Sequence, residues 1–326
     1  MERIHPLRKL YSVIDNGDIN YKIANIPEVP EIIELEVTNY CNFKCLMCKT
    51  GLEIAKRPRG FMKIDTFTKL IDEIKDYETA IKFVGLGEPL LHPEFPEFVK
   101  AAEGRGILCH LTTNGSLLNE NMMNKLLESG LDSIKFSFQG VDSESYEEMR
   151  QKDEFDNLMS TIKRFYDLRG DREKPFITIG TSVTDESAER IEAFKKMCVN
   201  FADRVEVGRT TLEHIDIDRL KTDEAKARIS LIKEKQSLRK VRYKCCNQVF
   251  DVITVRWNGD ISACCADADG LMTLGNIAEH SIKEIWNCDR ENEYRKILAA
   301  RRYEDLPLCK NCYDFMGYVD SQAQSI

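Results

Sequence analysis

EIIELEVTNYCNFKCLMC, residues 31–48, decides the fold. Ile33, Leu35 and Val37 alternate with Glu34 and Glu36, the period of a strand with one apolar and one polar face. Cys41, Cys45 and Cys48 follow at once, so a single loop at the strand's C-terminal end presents three thiols together.

Outward from that stretch, strand-like and helix-like segments alternate. Asp65 is the expected N-cap of a helix whose stripe is Phe67, Leu70, Ile71 and Ile74. Strands are predicted over 81–85, 107–113, 131–138, 176–183 and 204–210, with helices over 93–102, 119–127, 143–168 and 187–199. Strict alternation implies parallel strands joined by right-handed crossovers. About six such units make a partial (β/α)6 TIM-like barrel of the α/β class, short of the full eight. Cys41, Gly87, Asn114, Gln139 and Thr184 fall just after the strands, the face where parallel barrels do chemistry.

The expected organisation is an N-terminal extension (1–30), the barrel (31–210), a charged helical connector (211–244) and a small C-terminal α+β domain (245–326). In the last, segments 249–257 and 261–264 flank Asn258-Gly259, a hairpin signal, and 281–300 reads as an amphipathic helix. Cys309 and Cys312 lie beyond it.

The chain has 326 residues, 42% hydrophobic and 31% charged, the balance of a globular protein. Neither a signal-peptide core nor a bilayer-length apolar run is evident, so a cytoplasmic protein is expected. A net charge of −8 argues against broad nucleic-acid binding. One basic stretch opposes it: Lys226, Arg228, Lys233, Lys235, Arg239, Lys240, Arg242 and Lys244. It reads as a solvated face or as a lip that attracts an anionic substrate. Twelve cysteines in a reducing compartment point to metal ligands or catalytic thiols rather than disulfides. His5, His92, His110, His214 and His280 show no ligand spacing.

A structural zinc site needs four protein ligands, and no fourth cysteine or histidine lies near the triplet in sequence. Each iron of a [4Fe–4S] cluster normally takes one thiolate, so three thiolates leave one iron open. That vacancy suits the amino and carboxylate groups of S-adenosyl-L-methionine (SAM).

Residues 38–48 are similar to the cluster loop of the radical SAM superfamily, and the resemblance extends over most of the chain. It implies that Met47 packs near the adenine, where many members carry an aromatic residue. Gly85-Leu86-Gly87-Glu88-Pro89 resembles the family's Gly-Gly-Glu-Pro segment, which implies that Gly85, Gly87 and Glu88 help to hold the cofactor's amino group. Asn114, Ser137 and Arg150 are implied further contacts to SAM, an arginine fork suiting its carboxylate. Gln139 stands where the family often has aspartate.

Cys246, Gly259, Cys264 and the Cys309/Cys312 pair resemble the start of the family's SPASM extension, in its shortened twitch form with one auxiliary [4Fe–4S] cluster. Four thiolates also suit zinc. Cys245 and Cys265 are alternatives to their neighbours, and Cys109, Cys198 and Cys288 read as buried small residues. By analogy with twitch-bearing members that dehydrogenate aminocyclitols, the expected reaction is oxidation of a small polyol or amino-sugar-like substrate, with a flavodoxin- or ferredoxin-type electron donor. A peptide maturase or an epimerase, with Cys245 or Cys265 as hydrogen donor, is the alternative. A non-catalytic electron carrier is a remote one. Arg209, near the end of the last predicted strand, is the guessed catalytic side chain.

Overall fold

Side-chain parity along each strand divides the barrel into an apolar outer layer and a polar interior. The computed structural model describes residues 3–14, 18–212, 215–237, 240–242, 246, 248–312 and 316–318. Helices α1 (Arg8–Ile14) and α2 (Ile19–Ala24) precede β1 (Ile32–Leu35). The barrel continues through α3 (Ile64–Ile74), β2 (Ala80–Phe83), α4 (Phe95–Glu103), β3 (Cys109–Thr113), α5 (Glu120–Glu128) and β4 (Ser133–Ser137). It ends with α6 (Ser143–Arg150), α7 (Phe155–Arg169), β5 (Phe176–Val183), α8 (Ala188–Cys198) and β6 (Arg204–Arg209). Beyond it lie α9 (Asp223–Ser237), β7 (Lys240–Arg242), β8 (Val252–Val255), β9 (Asp260–Ser262) and β10 (Thr273–Asn276). The last elements are α10 (Ile282–Trp286), α11 (Asp289–Ala299) and β11 (Met316–Tyr318).

Strands β1 to β6 are parallel neighbours in chain order, and β1 does not pair with β6, so the barrel is unclosed. The free edge of β1 takes β8 in parallel, Ile32 facing Val252 and Leu35 facing Val255. Antiparallel β9 and β10 extend the same sheet, so the C-terminal hairpin is grafted onto the barrel rather than held beside it. Gly259 turns that hairpin at φ 85°, a conformation that glycine adopts without a Cβ penalty.

Three local expectations need correction. Lys63, not Asp65, holds the N-cap position of α3, and Asp65 sits in the first turn, where its charge complements the helix N-terminus. The single helix expected over 143–168 is two, because Gln151 closes α6 in the left-handed region at φ 59°. The helix expected over 281–300 is likewise two, α10 and α11, because Asn287 ends the first and Cys288 takes an extended conformation as the N-cap of the second.

Outside the sheet, Phe67, Phe83, Phe98, Phe136 and Phe165 are fully buried between strands and helices, each contributing about 2–3 kcal/mol by burial. The interior is polar. Lys82 pairs with Glu34 at 3.7 Å and Lys135 with Glu206 at 2.7 Å. Helix α1 packs Leu7, Leu10 and Ile14 onto Ile32, Ala80 and Val252, the first residues of their strands, and so covers the end remote from the cysteine loop. Among the described residues, no helix is long and apolar enough to cross a membrane.

Candidate functional site

Where β1 ends, the chain leaves the sheet and is strapped by residues 58–62. Thr38 Oγ1 donates to Gly60 O at 2.7 Å, Asn39 Nδ2 to Pro58 O at 2.8 Å, and Met62 N to Val37 O at 2.8 Å. The loop then folds back on itself, Leu46 N reaching Met149 O on α6 at 2.9 Å. A Cβ on Gly51 would lie 2.6 Å from both Cys45 N and Cys45 O, so only glycine lets the chain close against the loop. Cys45 is buried, while Cys41 and Cys48 are half-buried; Cys41 feels the charges of both others, and Cys45 that of Cys48. Burial pushes the Cys41 thiol up to about 11 and raises Cys45, against which Arg150 works. Thiolates in this loop therefore call for a cationic group.

Arg150, the last residue of α6, supplies part of that charge. Its Nη1 donates to Cys45 Sγ at 3.6 Å and its Nη2 to Ser137 O at the end of β4. Among the described residues, Arg150 Nε is buried without a hydrogen-bond partner, as is the Tyr146 hydroxyl one turn earlier, which lies close enough to feel Cys45. Orphaned buried donors beside three thiols fit a bound acceptor such as a cluster sulfide or the SAM carboxylate.

The turn after β2 presses onto the same loop. A Cβ on Gly87 would stand 2.2 Å from Thr38 O and 2.7 Å from Tyr40 O, which explains the glycine. Glu88 N donates to Tyr40 O at 2.8 Å. Its carboxylate, 2% exposed, accepts from Thr113 Oγ1 (2.6 Å), Asn114 N (2.7 Å) and Leu90 N (3.1 Å). Glu88 thus ties the β2 turn, the β3 end and the cysteine loop together, and its contacts point inward to the protein. Asn114 Nδ2 reaches Asn42 Oδ1 at 2.9 Å, beside Cys41. Gln139 is bound to Thr210, joining the ends of β4 and β6.

In the C-terminal region, Cys246, Cys309 and Cys312 are buried in one apolar cluster with Val249, Phe250, Met272, Leu306 and Leu308, and Cys264 packs against it. Cys264 shares a hydrogen bond with the Cys265 thiol and feels the charges of Cys246 and Cys312, and Cys265 also lines a cavity. The loop bearing this pair is held by Asp267, which accepts from Gly270 N, Leu271 N and Met272 N, each at 2.9 Å, and from Arg256 Nη2 at 2.7 Å. Cys245, His214, Arg239 and Lys244 lie outside the described residues. Cys109 and Cys198 are buried, and Cys288 is half-buried at the start of α11.

Among the described residues, no three His, Cys, Asp or Glu side chains converge to hold a single metal ion. A four-iron cluster asks for something looser, since each thiolate ligates a different iron.

A cavity of about 280 Å³ is lined by Cys48 of the first loop and by Cys265, the neighbour of Cys264. Met47, Cys48 and Lys49 form one wall, and Arg256, Cys265 and Ala266 the other. Glu36 and Arg57 line it as a bidentate pair at 2.9 and 2.8 Å. Arg209 is not among its lining residues. It shares parity with Val205 and Val207, which pack against the outer core, and it is exposed, so the expectation that it faces the pocket is corrected. Lys49, Glu36, Arg57 and Arg256 were missed in the sequence. The one available signal was Lys49's place directly after Cys48, since Arg57 and Arg256 reach the cavity through long-range contacts.

Comparison with known proteins follows this geometry. Residues 35–195 match the radical SAM superfamily, and residues 245–313 match an iron–sulfur cluster-binding domain, SPASM. A tungsten-containing aldehyde ferredoxin oxidoreductase cofactor-modifying protein of Pyrococcus furiosus is 24% identical, over 85% of this chain and 86% of its own. A PqqA peptide cyclase of Granulibacter bethesdensis is 32% identical over 37% of this chain and 32% of its own. Among solved structures, BtrN in complex with AdoMet and 2-DOIA is 20% identical (87% of this chain, 93% of that one, TM-score 0.58). SuiB of Streptococcus suis bound to S-adenosylmethionine is 19% identical (90% and 74%, TM-score 0.67). The structural likenesses establish the fold.

Proposed function

We propose the reaction from one premise: the chain belongs to the radical SAM superfamily and carries a C-terminal SPASM iron–sulfur domain. It binds SAM, an open-iron [4Fe–4S] cluster and an auxiliary iron–sulfur cluster. We assign the first cluster to Cys41, Cys45 and Cys48, and the second to Cys246, Cys264, Cys309 and Cys312. When bound, these groups supply a deoxyadenosyl radical that takes a hydrogen atom from an unactivated carbon, and an acceptor for one further electron.

The proposed reaction is oxidation of a small polyol or amino-sugar-like substrate. The observation that carries it is the cavity, which touches Cys48 at one wall and the Cys264-Cys265 loop at the other. A carbinol held there loses one hydrogen atom, one electron and one proton, and becomes a ketone. Arg150 and Met47 orient SAM on one side. Glu34 and Glu36 are the cavity's carboxylates placed to accept the proton. Arg57 fixes Glu36 by its two-pronged hydrogen bond. The likeness to BtrN, which is described with AdoMet and 2-DOIA, supports a small substrate. A flavodoxin- or ferredoxin-type protein is the proposed electron donor.

In anaerobically reconstituted enzyme, deoxyadenosine and oxidised product are expected in equal amounts. The Cys309→Ala/Cys312→Ala variant should lose about four irons per chain and the oxidised product with them. Undiminished product from a folded variant would overturn the role of the second cluster.

Peptide modification is the second reading, favoured by the relatives named as peptide cyclases and by SuiB bound to precursor peptide SuiA. Solvent deuterium in an otherwise unchanged product would instead identify epimerisation, with Cys265 in the cavity wall as hydrogen donor.

A further inference from the structure

We propose that Lys49 makes the cavity select a substrate bearing an anionic group, a carboxylate or a phosphate; this rests on reading that cavity as the reaction site. Lys49 directly follows Cys48, is 8% exposed and lines the cavity. Among the described residues, its ammonium has no ion-pair or hydrogen-bond partner. The other charges of the wall are matched. Arg57 is paired with Glu36 at 2.8 Å, Arg256 with Asp267 at 2.7 Å, and Glu34 with Lys82 at 3.7 Å. Asp269 feels the charge of Lys49, but Arg219 holds its carboxylate at 2.8 and 3.4 Å and Lys56 N at 3.0 Å.

A lysine side chain so enclosed favours a ligand that brings an anion to its ammonium. The charge that this wall leaves for a ligand to meet is therefore positive. Lys233 on α9 donates to Ile215 O at 2.8 Å, and Ile215 lines the cavity, so α9 borders it.

The carboxylate of SAM is the other source of the same chemistry, and one experiment separates the two. Crystals of reconstituted, SAM-bound enzyme soaked in bromide should show anomalous density beside Lys49 Nζ, with the SAM carboxylate elsewhere. The density should vanish in K49Q and persist in K49R. In calorimetry with the same holoenzyme, glucose 6-phosphate and glucuronate should bind more tightly than glucose. K49Q should weaken the two anions about tenfold or more, as expected for a lost charge-assisted hydrogen bond. An empty position in wild-type crystals, SAM's carboxylate seated on Lys49, or anions binding no better than glucose each overturns the proposal. Peptide-stimulated deoxyadenosine formation with bromide still seated at Lys49 overturns the small-molecule reading alone and leaves the anion site standing.

Discussion

The Cys41–Cys48 loop and the C-terminal thiols are built from different surroundings, although Cys48 and Cys265 line one cavity. Around the first, Arg150 leans on Cys45, and Arg150 Nε and Tyr146 hydroxyl stay buried with nothing to bond. Around the second, Cys246, Cys309 and Cys312 sit among Val249, Phe250, Met272, Leu306 and Leu308. Unpaired donors suit a place where a polar ligand completes the structure. An apolar shell suits a cluster fully ligated by protein, because it keeps water away and so tunes the potential. On the proposed assignment three thiolates leave the first cluster open and four close the second, and what lies behind the sulfurs matches that difference.

Removing a thiol from the open site should give the largest effect. Cys41→Ala is expected to lower SAM cleavage by more than about a hundredfold, beyond the usual loss for a supporting residue. Iron analysis and visible absorption should show the second cluster retained. Loss of both clusters would mean that the two sites fold as one unit.

Next in size is Glu88→Ala. It strands Thr113 Oγ1, Asn114 N and Leu90 N, at a cost of about 3 kcal/mol in chemical denaturation. SAM affinity should fall too, because Glu88 joins the cysteine loop to β3. A smaller cost, about 1–3 kcal/mol, is expected for Gly87→Ala, whose Cβ would meet Thr38 O at 2.2 Å. SAM binding by calorimetry checks it, and unaltered affinity would remove the turn from the site.

The most pH-dependent effect belongs to the C-terminal region, and it is the smallest only near pH 5. Glu291 on α11 is fully buried, and neither carboxylate oxygen has a hydrogen-bond partner, so burial pushes its acid up to about 8. The fold holds it protonated, while the unfolded chain ionises it above its ordinary value near 4.5. Its contribution to stability is therefore lost as pH rises from there toward 8, by up to about 1.4 kcal/mol per pH unit. Glu291→Gln should gain on the wild type over that range, and thermal melts from pH 5 to pH 8 measure it. A difference independent of pH would show that Glu291 is ionised in the fold.

Much of the barrel is legible because its signals are local. Strand β5 spans the predicted Phe176–Val183 stretch, and Asn119 and Ser187 cap the helices that begin after them. The polar cavity was not legible. Lys49 looks in sequence like one more loop lysine, and its burial depends on α9 and on the Asp269 loop. Nor does Arg57 show its partner, since Glu36 lies 21 residues away across the strap.

The sequence by itself determined the alternation of strands and helices and the three thiols that end β1, because periodicity and spacing are properties of short segments. Tertiary structure alone decided where the second site would stand. Cys264 packs against the apolar cluster and its neighbour Cys265 lines the cavity, both on the loop that follows β9. That loop stands where it does because β8 docks on β1, a pairing of Ile32 with Val252. No local pattern encodes a contact between residues so far apart, because it depends on the edge that the unclosed barrel leaves free.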